Sequence, residues 1–272
     1  MSPAAPFDRV AESLLAFWAE AGIDSMLLDE PLDRIEAGKF VAPRPADRKP
    51  APPPPPAAPR GPGADVASAV LEARRLAAQA PDLEALKAAI TGFDGCPLKF
   101  EGARQAVFAR GAPDAPLMVI GEGPGAEEDA RGEPFVGRAG QLLDRMLAAA
   151  GLTDRVFITN TVFWRPPGNR TPSPQEQATC QPFLERAIEL VSPRMLLLVG
   201  APSTKSMLKR SEGILSLRGR WFEWRSEAGN LELPAMPTLH PAFLLRQPGA
   251  KKKAWSDLLT LTERLDRPER GA

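Results

Sequence analysis

Four short apolar runs recur along the chain, and stretches with apolar residues at helical spacing separate them. The runs lie at residues 117–120, 156–162, 195–200 and 235–240. Runs this short and this rich in branched residues are typical of buried parallel strands. Because strands that alternate with helices pack into a covered sheet, the pattern predicts an α/β fold. We expect a three-layer α/β/α sandwich with a central, mostly parallel four-stranded sheet.

Apolar residues three or four positions apart predict the helices between these runs. The predicted helices cover residues 65–80, 82–91, 174–191 and 251–265, and a further helix begins at Arg138. Between the third and fourth runs, residues 220–233 alternate around Gly229 and Asn230, which predicts an antiparallel hairpin.

The N-terminal part of the chain differs from the rest in composition. Residues 7–28 carry apolar side chains at helical spacing, whereas residues 41–63 are dominated by Pro and Ala. Such a composition is typical of an extended linker. We therefore predict an amphipathic helical segment at 1–40, a linker at 41–63 and a folded domain at 64–272. The helix could bind the domain or a protein partner.

Composition and charge exclude few classes of function. The 272 residues include 34 Lys and Arg, 34 Asp and Glu and 43% hydrophobic residues, so any basic surface must be local. No apolar run is long enough to span a bilayer, and no secretory signal pattern begins the chain. Two distant cysteines do not make a disulfide framework. We expect a cytoplasmic, monomeric protein that does not bind membranes.

Candidate chemistry lies in the loops that follow three of the predicted strands. These loops carry Glu122 with Phe135, Asn160 with Asn169, and His240. The carboxyl ends of parallel strands meet at one edge of a sheet, so the side chains can line one pocket. Each residue alone has an ordinary structural explanation, and His240, the only histidine, could simply be a packed residue. Their combination is more specific.

Four separate motifs then resemble the family 4 uracil-DNA glycosylases. They are GEGPGAEED at 121–129, PFVGRAGQLLD at 134–144, TNTVFWRPPGNR at 159–170 and HPAFLLR at 240–246. The resemblance covers about residues 95–265 and leaves out the N-terminal segment and the linker. It implies an enzyme that swings uracil out of DNA and hydrolyses its N-glycosidic bond during base excision repair.

The resemblance also implies a role for particular residues. Phe135 would stack on the uracil, and the Asn160 amide would match its edge with one acceptor and two donors. His240 would donate a hydrogen bond to a uracil oxygen as negative charge develops there. Glu122 would orient water and offset the positive charge on the sugar.

Other residues match the family at supporting positions or at the DNA. Gly123 and Glu128 are expected near the base, and Asn169 near the attacked sugar. Phe243 and Leu244 could fill the gap left by the extruded base, whereas Arg246 and Lys251 are candidate phosphate contacts. The expected partner is uracil-containing DNA.

One departure from the family concerns its iron–sulfur cluster. Family 4 members usually hold the cluster with four cysteines, and the matching positions here are Cys96, Lys99, Trp164 and Cys180. Two thiolates cannot assemble a four-thiolate cluster within one chain. We therefore expect no iron–sulfur cluster and no other metal or cofactor.

Two alternatives remain beside the glycosylase interpretation. Residues 121–126 fit a loose dinucleotide-binding pattern, but Glu127, Glu128 and Asp129 would repel a pyrophosphate. The other alternative is a protein of the same fold that binds uracil or abasic DNA without catalysis. The joint presence of Glu122, Asn160 and His240 argues against it.

Overall fold

The computed structural model describes residues 66–267 of the chain. The predicted N-terminal helix and the proline-rich linker lie outside the described residues, so these elements and the domain boundaries stay predictions. Within residues 66–267, no helix combines the length and the hydropathy needed to cross a lipid bilayer.

Six strands form a single mixed sheet in the described part of the chain. They are β1 Ala109–Gly111, β2 Leu117–Gly121, β3 Val156–Asn160, β4 Met195–Val199, β5 Phe222–Arg225 and β6 Glu232–Thr238. Their order across the sheet is β1-β3-β2-β4-β6-β5. The four inner strands pair in parallel, and β1 and β5 are antiparallel edge strands. The α/β class is confirmed, but the predicted number of four strands is wrong.

The two additional strands have different physical origins. β1 has three residues and none of the apolar continuity of a buried strand, so its sequence carries little strand pattern. β5 is the first arm of the predicted hairpin, and its pairing with β6 confirms that prediction. The second arm continues directly into the predicted fourth strand, because β6 is one strand from Glu232 to Thr238.

Nine α-helices fall within the described residues. They are α1 Val66–Gln79, α2 Leu83–Gly92, α3 Ala126–Arg131, α4 Arg138–Ala149, α5 Pro174–Val191, α6 Ala201–Leu208, α7 Ile214–Leu217, α8 Pro241–Arg246 and α9 Lys251–Leu265. The helices predicted from apolar spacing correspond to α1, α2, α4, α5 and α9. Ser173 caps α5 by accepting a hydrogen bond from the Glu176 amide, which explains the sharp start of this helix.

Helices cover both faces of the sheet because successive side chains of each buried strand point to opposite sides. On β2, Met118 and Ile120 join the core formed with α1, α2 and α5. Leu117 and Val119 join the opposite core, formed with α4 and α9. The sheet is therefore the middle of three layers, and its polar chemistry is confined to the strand ends.

Candidate active site

A cleft of about 930 Å³ opens at the carboxyl ends of the parallel strands β2, β3 and β6. Most of the residues predicted to form the site line it: Glu122, Gly123, Glu128, Phe135, Asn160, Asn169, His240, Phe243 and Arg246. Leu244 and Lys251 do not line it. The parallel arrangement thus brings together side chains that are as far apart in sequence as Glu122 and Arg246.

Two glycines, one at the end of β2 and one just after it, allow the walls of the cleft to approach each other. A Cβ atom at Gly121 would overlap both the Asn160 amide oxygen and the Phe135 ring. A Cβ atom at Gly123 would meet the Val162 side chain at 2.8 Å. The glycine loop therefore makes room for an amide and an aromatic ring beside the end of β2.

Asn160 presents an unsatisfied hydrogen-bond acceptor. It ends β3 opposite Gly121 in the parallel register and is 1% exposed. Its Oδ1 atom has no hydrogen-bond partner among the residues that the structure describes. An unpaired buried acceptor costs about 1–3 kcal/mol, so this position favours a ligand that donates a hydrogen bond.

Phe135 forms the aromatic wall of the cleft from a strained backbone. It is buried, and its φ angle of 56° lies in the left-handed region, which costs a bulky residue about 1–3 kcal/mol. Its ring stacks near His240, with 5.8 Å between ring centroids and an interplanar angle of 29°. The loop between α3 and α4 and the loop after β6 therefore meet through these two rings.

The environment of His240 favours a neutral imidazole with its proton on Nε2. His240 caps α8, and its Nδ1 atom accepts a hydrogen bond of 3.1 Å from the Ala242 amide. Burial, and to a smaller extent the positive charge of Arg246, lower the pKa of His240 to about 4, although Glu128 acts in the opposite direction. Because Nδ1 accepts, the neutral ring carries its hydrogen on Nε2 and can donate there.

Glu122 is a partly buried carboxyl group directly after β2. Burial raises its pKa above the ordinary value of 4.5, and a hydrogen bond with the Thr171 side chain acts in the opposite direction. The Thr161 hydroxyl donates a 2.6 Å hydrogen bond to the Glu122 backbone carbonyl. The peptide that carries the carboxyl group is thereby fixed against the end of β3.

Glu128 is occupied by the protein's own backbone. One carboxylate oxygen accepts hydrogen bonds from the amides of Val136 and Gly137, at 3.0 and 2.9 Å. The other accepts from the amide of Gly125, at 3.1 Å. Glu128 therefore joins the glycine loop to the loop of Phe135. It also places a carboxylate at the start of α3, where a dinucleotide site would hold a pyrophosphate.

Asn169 lies on the far rim of the cleft in an exposed turn. Its φ angle is 56°, and its Oδ1 atom accepts a 2.7 Å hydrogen bond from Nε of Arg165. The next residue, Arg170, pairs with the carboxylates of Glu176 at 2.6 Å and Glu101 at 3.2 Å. These ion pairs attach the turn to α5 and to the segment before β1.

The predicted DNA contacts differ in their exposure. Leu244 is fully buried and packs with Leu142, Leu239 and Ala254, so it cannot contact DNA from this position. The reason is local, because residues 241–246 form a short helix that turns Leu244 toward α4 and α9. Phe243 is partly exposed beside the cleft, and Lys251 is exposed at the start of α9.

The residues at the four expected cluster positions do not fit a four-thiolate cluster. The Sγ atoms of Cys96 and Cys180 lie 3.9 Å apart in the core, and burial raises the pKa of the Cys180 thiol. The Lys99 ammonium contacts Asp94 and two backbone carbonyls instead. The Trp164 indole is 1% exposed and packs edge-on against Phe163.

Two residues that support the site were missed by sequence reasoning. Thr161 directly follows Asn160, the last residue of β3. Its place at the end of a predicted strand, beside a predicted site residue, is the sequence signal that could have identified it. Arg110, on the edge strand β1, donates hydrogen bonds to the backbone carbonyls of Pro134 and Phe135. No periodic pattern marks a three-residue strand, so nothing in the sequence indicated this contact.

Comparison with known proteins agrees with this geometry. Residues 108–259 match the family model described as the uracil DNA glycosylase superfamily. The matched segment contains the sheet and all the loops that form the cleft.

Several relatives are similar over most of their length. The type-4 uracil-DNA glycosylase of Sulfurisphaera tokodaii is 36% identical over 194 residues, which are 69% of this chain and 87% of the relative. That of Pyrobaculum aerophilum is 38% identical over 183 residues, covering 65% and 91% of the two chains. That of Thermotoga maritima is 40% identical over 153 residues, covering 56% and 77%.

Proposed function

The chain belongs to the uracil DNA glycosylase superfamily, and we propose that it is a uracil-DNA glycosylase acting in base excision repair. The observation that carries the proposal is the buried Oδ1 atom of Asn160, which lacks a partner within residues 66–267 and faces the cleft beside the Phe135 ring. A base that stacks on Phe135 and presents an N–H to Asn160 would satisfy both groups.

Uracil has the required pattern of hydrogen-bonding groups. Its N3–H would donate to Oδ1 of Asn160, and its O4 would accept from the amide nitrogen. Cytosine presents an acceptor and a donor at the same positions, so its binding would leave polar groups unpaired at about 1–3 kcal/mol each. Extrusion of the nucleotide from the duplex gives the base access to the cleft.

Bond cleavage separates charge, and two side chains are suited to stabilise it. The bonding electrons leave with uracil, so an oxygen of the base gains negative charge to which Nε2–H of His240 would donate. The sugar gains positive charge, which the Glu122 carboxylate would offset while it orients the attacking water. A neutral histidine can stabilise the leaving group without a proton transfer.

DNA would be held around the cleft by apolar and cationic side chains. Phe243 is a partly exposed apolar side chain of α8 that could enter the space left by the base. Arg246 beside the cleft and Lys251 at the start of α9 remain the proposed phosphate contacts. Leu244 would act beneath them as a packed support.

The proposal includes no iron–sulfur cluster or other cofactor. Its basis is the residues at the four expected positions, of which Lys99 and Trp164 cannot supply a thiolate. We also propose that the protein acts as a monomer, because every side chain to which we assign a role in uracil binding and catalysis belongs to the same chain.

The test is release of uracil from a labelled oligonucleotide, followed by alkali to cleave the abasic strand. The proposed enzyme cleaves the uracil strand and leaves a matched thymine strand intact, and Asn160→Ala lowers the cleavage. Binding of uracil DNA without any strand cleavage would refute the enzyme and favour the non-catalytic binder. Wild-type cleavage by Asn160→Ala would show that base recognition lies elsewhere.

A further inference from the structure

The backbone of Phe135 is held from the side of the edge strand β1. Arg110 donates a 2.8 Å hydrogen bond from Nε to the Pro134 carbonyl and a 3.2 Å hydrogen bond from Nη2 to the Phe135 carbonyl. Nη2 also contacts Asp144 on α4 at 2.6 Å. A single guanidinium therefore binds the two carbonyl groups that flank the strained residue.

Other groups also hold the same loop. The Glu128 carboxylate binds the amides of Val136 and Gly137, which follow Phe135 directly. A Cβ atom at position 140 would overlap the Phe135 carbonyl, so this position requires glycine. Carbonyls bound by an arginine and amides bound by a glutamate leave the Phe135 peptide little freedom to rotate.

We infer that Arg110 is a positioning residue for the Phe135 ring and therefore for the base that stacks on it. The inference rests on the proposed function, since it concerns the base-stacking surface of that site. A left-handed φ at a bulky residue persists only where its surroundings fix it. Without Arg110 the Phe135 backbone relaxes, and the ring no longer closes the wall beside Asn160.

The chemistry of the guanidinium explains why the residue is an arginine. Its planar fork donates from Nε and Nη2 in fixed directions, whereas a lysine ammonium is a single point with flexible donors. Asp144 binds the same Nη2 atom, and within the described residues its side chain makes no hydrogen bond to the loop itself. A substitution of Asp144 therefore separates the ion pair from the carbonyl contacts.

Kinetics of three variants test this division. Arg110→Ala is expected to lower the single-turnover rate at saturating enzyme about 10- to 100-fold, since a displacement of about 1 Å can cost on the order of 100-fold. Its affinity for uracil DNA changes less, because the phosphate contacts remain. Arg110→Lys recovers only part of the rate, and Asp144→Ala retains most of it. An equal loss in Asp144→Ala and Arg110→Ala would overturn the inference in favour of the ion pair.

A double-mutant cycle separates positioning from a general structural role. If Arg110 acts through the Phe135 ring, then Arg110→Ala has little further effect on the rate in a Phe135→Ala background. If the fold-losses of the two single variants instead multiply in the double variant, the two residues act independently and the inference is overturned. Unfolding midpoints of all variants are measured alongside, and the cycle is evaluated at a temperature where each is folded.

Hydrogen exchange supplies a measurement that does not depend on activity. The amides of Val136 and Gly137 are expected to exchange faster in Arg110→Ala than in Asp144→Ala, while amides of the β2 strand stay protected. Unchanged exchange at Val136 and Gly137 would overturn the positioning role even if the rate fell. Absence of uracil release by the wild-type protein would instead refute the proposed function and leave this measurement valid.

Discussion

The pKa of His240 should lie far below that of an ordinary histidine, and the substitution Arg246→Gln should raise it. Its pKa of about 4, against an ordinary 6.5, follows first from burial and then from the charge of Arg246. At 1.36 kcal/mol for each unit of pKa, the protein disfavours the imidazolium by about 3 kcal/mol. At pH 7 about one molecule in a thousand therefore carries a charged His240.

Nuclear magnetic resonance can measure this titration without assignment, because the chain has one histidine. The imidazole signal of the wild-type protein should not shift between pH 8 and about 5.5. Arg246→Gln should raise the pKa of His240, since a nearby positive charge is removed. Lys251→Gln removes one cation that does not contribute to the shift, so it should leave the pKa of His240 unchanged. A wild-type midpoint near pH 6.5 would refute the burial argument.

The rate of uracil release should follow the same electrostatics. A histidine that stays neutral contributes no inflection near pH 6.5 to the single-turnover rate. We expect the rate to fall at acid pH because Glu122 becomes protonated. Burial raises the pKa of Glu122, so the required carboxylate is lost at a pH above 4.5 as the pH falls. Glu122→Gln should be slower and lack this acid limb. An inflection near pH 6.5 that vanished in His240→Ala would contradict the neutral donor.

Three further predictions concern recognition, support and the cluster positions. Asn160→Asp should weaken discrimination between uracil and cytosine DNA in competition assays, because an ionised carboxylate only accepts hydrogen bonds. Leu244→Ala should lower the free energy of unfolding by about 2–5 kcal/mol in denaturant titrations, whereas Phe243→Ala should mainly weaken DNA binding; the reverse pattern would return Leu244 to the DNA surface. The purified protein should lack the visible absorption of an iron–sulfur cluster and keep its unfolding midpoint with chelator present. Stoichiometric iron and sulfide after anaerobic purification would contradict the assignment of Cys96 and Cys180 as thiols that hold no cluster.

The sequence predicted the inner sheet because burial on both faces leaves a visible pattern. β2 and β4 are entirely buried, and their unbroken apolar runs follow from contact with helices on both sides. β1 has no such constraint, since an edge strand of three residues with partly exposed side chains is stabilised by pairing rather than by a core. The strand that carries Arg110 therefore could not be predicted from the sequence, and neither could the contact that orients the Phe135 loop.

Within the site, the sequence identified residue types but could not assign their hydrogen bonds. Glu128 was expected near the base, yet its carboxylate is used by three backbone amides of neighbouring loops. Leu244 was expected at DNA, yet the short helix α8 turns it into the core. Both outcomes depend on loop conformations that are set by tertiary contacts, which no residue spacing encodes.

The polar groups of the cleft divide into those satisfied by the protein and those left for a substrate. Glu128 is paired with backbone amides, and Asn169 with Arg165. By contrast, the buried Oδ1 atom of Asn160 has no hydrogen-bond partner within the described residues. His240 is half-buried and caps α8 through Nδ1, so that Nε2–H can donate to a ligand, and both residues adjoin the Phe135 ring. Because an unpaired buried group is costly in the free protein, the binding free energy of a substrate that pairs it is correspondingly larger. A buried unpaired acceptor and a neutral donor beside an aromatic wall therefore favour a flat, neutral ring with complementary groups on its edge.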